Sequence, residues 1–194
     1  MSGPVLGLQN NVEGHLREIR IYLNCHFGNG RGDHVVYWSN DPGATWAVGE
    51  YLGDEYNECM HGLLLRSNSS VIMNCRTGGG KRRSGIYFGP DLNLQDDAVY
   101  PGLEDLGCEG GIVVKQGDGG GEDVVHQSNT VSLNRTHLIF EKSLDSGRTF
   151  DDGLLVWEGP SNYSMLVDAG DHVGLLLELG EKGSYETIGY AMVA

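Results

Sequence analysis

The sequence predicts an all-β fold built from repeated antiparallel sheets. Three observations carry that prediction. Short runs such as residues 19–26 place apolar residues at every second position: Ile19, Ile21, Leu23 and Cys25. Glycine accounts for 31 of 194 residues, with only 5 prolines and no fixed period, so it punctuates turns rather than marking a low-complexity chain. The pattern Ser-x-Asp-x-Gly-x-Thr-aromatic occurs twice, opening at Ser39 and at Ser143. The two copies lie 104 residues apart, roughly two repeats of a ~50-residue unit.

Each element follows in order. Residues 1–9 are a glycine-rich lead-in and 10–15 a polar turn. Residues 19–26 form a strand, 28–33 a glycine-rich loop and 34–38 the next strand. The first octapeptide, Ser39 to Trp46, is a tight turn. Its aspartate accepts hydrogen bonds from turn donors, its glycine takes a positive φ and its aromatic packs beneath. Residues 54–59 read as an acidic loop. Strands at 61–66 and 71–75 follow, joined by a Ser-Asn-Ser-Ser turn. Lys81, Arg82 and Arg83 are a basic cluster best read as a solvated loop. Residues 84–88 form a strand, although 84–91 also reads as an eroded copy of the octapeptide. Residues 90–100 are polar and irregular. The segment 117–123 is a flexible hairpin loop. Strands at 124–129 and 135–142 precede the second octapeptide, Ser143 to Phe150. Strand-like runs at 154–157, 173–178 and 188–193 complete the chain.

Composition excludes several roles. The formal net charge of −14 argues against nucleic acid and against anionic membrane surfaces. Any anion site must be made locally by arginines. No apolar run reaches the ~18–20 residues of a membrane helix, and no basic-then-apolar leader is visible, so no compartment is indicated. Cys25, Cys59, Cys75 and Cys108 form no metal-type spacing and read as buried free thiols. No metal and no cofactor is expected. Sequons occur at Asn68, Asn134 and Asn162.

The octapeptides have the form of Asp-boxes. Arg135 stands eight residues before the serine of the second one, and a Gly-Pro-Ser-x-Tyr-Ser segment ending in Tyr163 and Ser164 follows it. This stretch resembles the exo-α-sialidase (neuraminidase) family. Further segments match it: Gly3-Pro4 with Gly7 and Gln9; Asn57-Glu58-Cys59; Met73-Asn74-Cys75-Arg76; the run from Pro101 to Gly111; and Gly174 to Glu178. The resemblance implies a partial sialidase-type β-propeller of about 3–4 four-stranded antiparallel blades. It would occupy residues 1–194 as a single incomplete domain corresponding to the C-terminal part of the family's propeller.

The resemblance also implies roles. Tyr163 is the nucleophile and Glu58 its general base. Arg76 and Arg135 are two members of the arginine triad that binds the substrate carboxylate. Glu178 is the supporting glutamate that holds the first triad arginine in place. Without the resemblance, Glu58 reads as one of several acids on an acidic loop, and Tyr163, one of nine tyrosines, as packing in a strand. The chemistry is coherent. Sialic acid carries a carboxylate on its anomeric carbon, which planar guanidinium groups bind well and which would repel a carboxylate nucleophile. A tyrosine stays neutral until a nearby glutamate takes its proton.

Two family motifs have no counterpart: the Arg-Ile-Pro segment with the first arginine, and the acid/base aspartate. The expected function is retaining hydrolysis of terminal sialic acid from glycoconjugates, impaired by what is missing. The alternative is a sialoside- or glycan-binding propeller fragment without catalysis. The expected partners are a sialylated glycan, and either an N-terminal half or a second chain meeting the open blade edges.

Overall fold

The computed structural model describes residues 2–12, 15–26, 32–51, 56–65, 70–77, 82–88, 94–104, 110–115, 122–132 and 134–193. Side chains are described at 19, 35, 37–49, 71–73, 75, 110–115, 122–132 and 134–193. The described residues form strands and turns, with no helix among them. The strands are β1 (Ser2–Val12), β2 (His15–His26), β3 (Gly32–Ser39), β4 (Ala47–Tyr51), β5 (Tyr56–Leu65), β6 (Ser70–Thr77), β7 (Arg82–Phe88) and β8 (Leu94–Glu104). They continue with β9 (Gly111–Lys115), β10 (Val124–Thr130), β11 (Thr136–Ser143), β12 (Leu154–Asp168), β13 (Val173–Leu179) and β14 (Thr187–Val193).

Every pairing is antiparallel between sequence neighbours: β1-β2-β3-β4, β5-β6-β7-β8, and β9 through β14. The last group divides at β12. Its first half pairs with β11 as far as Pro160, and its second half pairs with β13 from Ser161 onward. The opening strands of successive sheets, β1, β5, β9 and the second half of β12, are neighbours. This is a partial β-propeller: three four-stranded blades and three strands of a fourth, with β12 serving both of the last two.

Both faces of the third blade are buried. Toward the second blade, Val125 and Ile112 pack on Ile72, with Val114 and Phe150 alongside. Toward the fourth, Val113, Leu138 and Phe140 pack on Leu166, Val173, Leu175, Leu177 and Val193. Hence β10 is buried at both of its alternating positions, polar residues included. Ser128 and Ser164 join hydroxyls at 2.8 Å across the blades, and Gln127 donates to Glu141 Oε2 at 2.8 Å. Burial, and then the nearby Lys115 and Lys142, push the imidazole pKa of His126 down, and the ring stacks on Phe140 at 5.2 Å.

The two octapeptides fold into one turn, and each joins the third and fourth strands of its sheet. In the first, Ser39 Oγ donates to Asp41 Oδ1 and accepts from the Gly43 amide, both at 2.8 Å. Asp41 also accepts from the Thr45 amide and hydroxyl. The second repeats each bond with Ser143, Asp145, Gly147 and Thr149. Gly43 and Gly147 both have positive φ, 89° and 79°. Trp46 Nε1 donates to the Gly43 carbonyl, whereas Phe150 reaches the core facing the second blade. The hydroxyl and amide of Thr45, then Ser39, hold the Asp41 carboxyl at about 2. For Asp145, burial pulls upward, but the bonds from Thr149, Ser143 and the Arg148 amide outweigh it and leave the group at about 2.

Several expectations are corrected. Residues 2–12 are strand, not a lead-in and a polar turn. Residues 56–59 belong to β5, so Glu58 stands in a strand and not in a loop. Residues 94–104 form β8, where an irregular segment was expected. Arg82 and Arg83 lie in β7, paired in register with Glu104 and Arg76, rather than in a solvated loop. Residues 84–88 lie in that same strand, so they do not form a third turn of the octapeptide type. Cys75 is buried but is disulfide-bonded, not a free thiol. The register sets Cys59 of β5 opposite it. Lys81, Cys108, the Asn68 sequon and residues 117–121 lie outside the described residues.

Candidate functional site

Arg135 ends the turn between β10 and β11. The Ser132 hydroxyl accepts from the amides of Asn134 and Thr136, and the Ser132 carbonyl accepts from the Arg135 amide. This network holds Arg135 at φ 53°, a left-handed conformation that costs a non-glycine residue about 1–2 kcal/mol. Its carbonyl accepts from the Ser161 amide at 2.8 Å, which fastens the turn to β12. Its guanidinium Nη1 donates to Asn162 Oδ1 and to the Tyr185 hydroxyl, each at 3.0 Å.

Tyr163 and Asn162 sit where β12 breaks register. Ser161 pairs with Leu179 and Ser164 with Leu177, so two residues of β12 face the single residue Glu178 of β13. This is a β-bulge, which frees a ladder amide and re-aims a side chain. Glu178 Oε2 satisfies the freed amide, accepting from Tyr163 N at 3.3 Å and from Asn162 Nδ2 at 3.1 Å. Asn162 is 1% exposed, while Tyr163 is half-buried. Ser161 and Ser164, on either side, are buried as well. Tyr163 is therefore the most accessible side chain of that segment.

The structure thus brings Arg135, Tyr163 and Glu178 together at the junction of the third and fourth blades. Glu58 and Arg76 lie on the adjacent strands β5 and β6. Asn57 pairs with Arg76 and Cys59 with Cys75, so Glu58 also falls at a register break. The side chains of Glu58 and Arg76 are outside those described. Sequence reasoning missed Asn162 and Tyr185 as parts of the site. Asn162 had only a sequon to mark it, and its burial and bonds leave no room for a glycan. Tyr185 had no signal. Among the described residues no cluster of His, Cys, Asp and Glu could hold a metal.

The sequence matches no protein-family model and no curated protein. Solved structures do match in fold. Trypanosoma rangeli sialidase superposes with a TM-score of 0.64 at 18% identity, over 90% of this chain and 29% of that one. The same sialidase in complex with 2,3-difluorosialic acid, a covalent intermediate, gives 0.65 and 19%, over 90% and 28%. The catalytic domain of Coprinopsis cinerea GH62 α-L-arabinofuranosidase gives 0.58 and 11%, over 95% and 62%. The fold is of the sialidase type, within a wider set of glycoside hydrolase propellers. This chain spans less than a third of the length of the sialidases it matches.

Proposed function

We propose that this chain is part of an exo-α-sialidase, in which Arg135 and Arg76 bind the substrate carboxylate and Tyr163 attacks the anomeric carbon. One observation carries the reading: the Arg135 guanidinium reaches the residue adjoining Tyr163, at a bulge that leaves Tyr163 accessible between buried neighbours. The order of Arg135, octapeptide and Tyr163 supports it, as does the likeness in fold to a sialidase seen as a covalent intermediate. In the first step the phenol oxygen bonds to the anomeric carbon and Glu58 takes the phenol proton. The glycosidic bond breaks with its electrons going to the aglycone oxygen, which takes a proton from solvent water. Water then cleaves the tyrosyl intermediate, with net retention. An arginine suits the anion because it is planar, bidentate and always charged.

A second reading is a sialoside-binding propeller piece without hydrolysis. It is favoured by Glu178, whose Oε2 is engaged by the neutral donors Asn162 and Tyr163 N, where the resemblance implies an arginine. Sialic acid is titrated into the chain and into Arg135→Ala, followed by NMR, alongside turnover of a fluorogenic sialoside. Binding that Arg135→Ala weakens at least tenfold is expected. Turnover that Tyr163→Phe abolishes supports the enzyme, whereas binding without turnover supports the second reading. No binding, or equal binding by Arg135→Ala, overturns both.

A further inference from the structure

We infer that Asn162 is the positioning residue of this site: its neutral amide fixes the Arg135 guanidinium for an anionic ligand and ties it, through Glu178, to the backbone of Tyr163. The inference rests on Arg135 binding a carboxylate, as proposed above. Asn162 Oδ1 accepts from Arg135 Nη1 at 3.0 Å, and Nδ2 donates to Glu178 Oε2 at 3.1 Å. The orientation of the amide is fixed by its partners, since arginine only donates and an ionised carboxylate only accepts. Three elements therefore meet on one buried side chain: the β10–β11 turn, the bulge of β12, and β13.

Neutrality is the functional part of this arrangement. An aspartate here would also hold Arg135, but its charge would cancel the guanidinium's attraction for a ligand carboxylate. It would also set two carboxylates against each other at hydrogen-bond distance. An amide orients the arginine without adding a negative charge beside it. The titratable and charged groups described around Asn162 are Arg135 from the turn, Glu178 from β13, Tyr185 from the β13–β14 loop and its neighbour Tyr163.

The test compares Kd for sialic acid in the parent chain, Asn162→Asp and Glu178→Ala, from pH 8 to pH 5. At pH 8 Asn162→Asp is expected to bind at least tenfold more weakly. Its affinity should recover as the pH falls, because a protonated aspartic acid can donate to Glu178 and accept from Arg135 as the amide does. The parent profile should stay flat by comparison. A side chain needed only for folding would show no such recovery. Glu178→Ala lies on a different strand and removes the other end of the link, so it should lose several-fold in affinity without pH recovery. It also keeps the inference testable if Asn162→Asp fails to fold. Parent binding that matches Asn162→Asp at both pH values, or an unchanged Glu178→Ala, overturns the inference while leaving the carboxylate reading standing. If the parent chain does not bind sialic acid, both fall.

Discussion

Substituting Gly111 by alanine tests whether the third and fourth blades meet as described. A Cβ at this position would lie 2.6 Å from the Leu166 amide nitrogen, 2.9 Å from Leu166 Cγ and 2.9 Å from Ser128 Oγ. A leucine side chain can rotate, but its backbone nitrogen moves only if β12 moves. Overpacking of this kind costs about 1–3 kcal/mol. Stiffening the unfolded chain by replacing glycine returns about 0.4–1 kcal/mol. A net loss of about 1–2 kcal/mol in a domain of this size lowers Tm by roughly 2–8 °C. Differential scanning calorimetry reads the shift directly. Gly183→Ala is the control, because the nearest atom to its Cβ is Glu186 Oε1 at 3.9 Å. That variant should melt about 1–4 °C above the parent, since it gains the stiffening contribution and adds no clash. Adding Leu166→Ala to Gly111→Ala would remove the Cγ clash but not the one with the amide. If Gly111→Ala melted like the control, β9 and the second half of β12 could not be neighbours, and the shared-strand topology would be wrong.

Asp145→Ala removes the acceptor of four hydrogen bonds in the second octapeptide turn and should cost about 1–2 kcal/mol, or roughly 2–8 °C in Tm. Asp41 and Asp145 both sit at about 2 when folded, below the 3.8 of an unperturbed aspartate. A depressed folded pKa contributes stability above pH 3.8 that is lost as the pH falls toward 2, so acid unfolding should be blunted in Asp145→Ala; parallel acid curves would refute the assignment. Met165, Val167, Leu176, Ile188, Tyr190 and Met192 are exposed, Ile188 to 71% and Met192 to 70%, on the side of the fourth blade away from the third. Light scattering should show self-association that rises with salt as the −14 charge is screened and that falls in Met192→Lys; a parent chain that stays monomeric throughout would contradict it.

How much of this was legible depended on where each strand sits in its sheet. The central strands β2, β6 and β11 kept their apolar character and were readable. β1 and β8 were not, because they carry Pro4, Pro101, glycines and acids or amides that break the period-two pattern. Each stands at the edge of its four-stranded sheet, where one side of the ladder needs no partner and proline is tolerated. Pairing with an apolar neighbour overrode weak propensity there. The site divides in the same way. Arg135 and Tyr163 could be found because they flank a local motif. The contacts Arg135 makes with Asn162 and Tyr185 join residues 27 and 50 positions apart. No local pattern encodes them.

The two register breaks explain why candidates of such different type share one kind of position. The inner strand of each blade runs beside a neighbouring blade. In the second half of β12 Leu166 packs on the third blade, while Met165 and Val167 on the other face are exposed. Around Tyr163 the residues Ser161, Asn162 and Ser164 are buried. A bulge re-aims a side chain of such a strand at the expense of one ladder amide. In β12 Glu178 accepts that amide, whether or not it also pairs with an arginine. Glu58 meets the same condition on β5, between the Asn57–Arg76 and Cys59–Cys75 pairs. The resemblance selected Glu58 and Tyr163 as base and nucleophile by sequence alone. Each stands at a break in the register of its strand. Straightening the β12 bulge by deleting Asn162 should therefore restore an unbroken ladder with β13 while removing sialic acid binding.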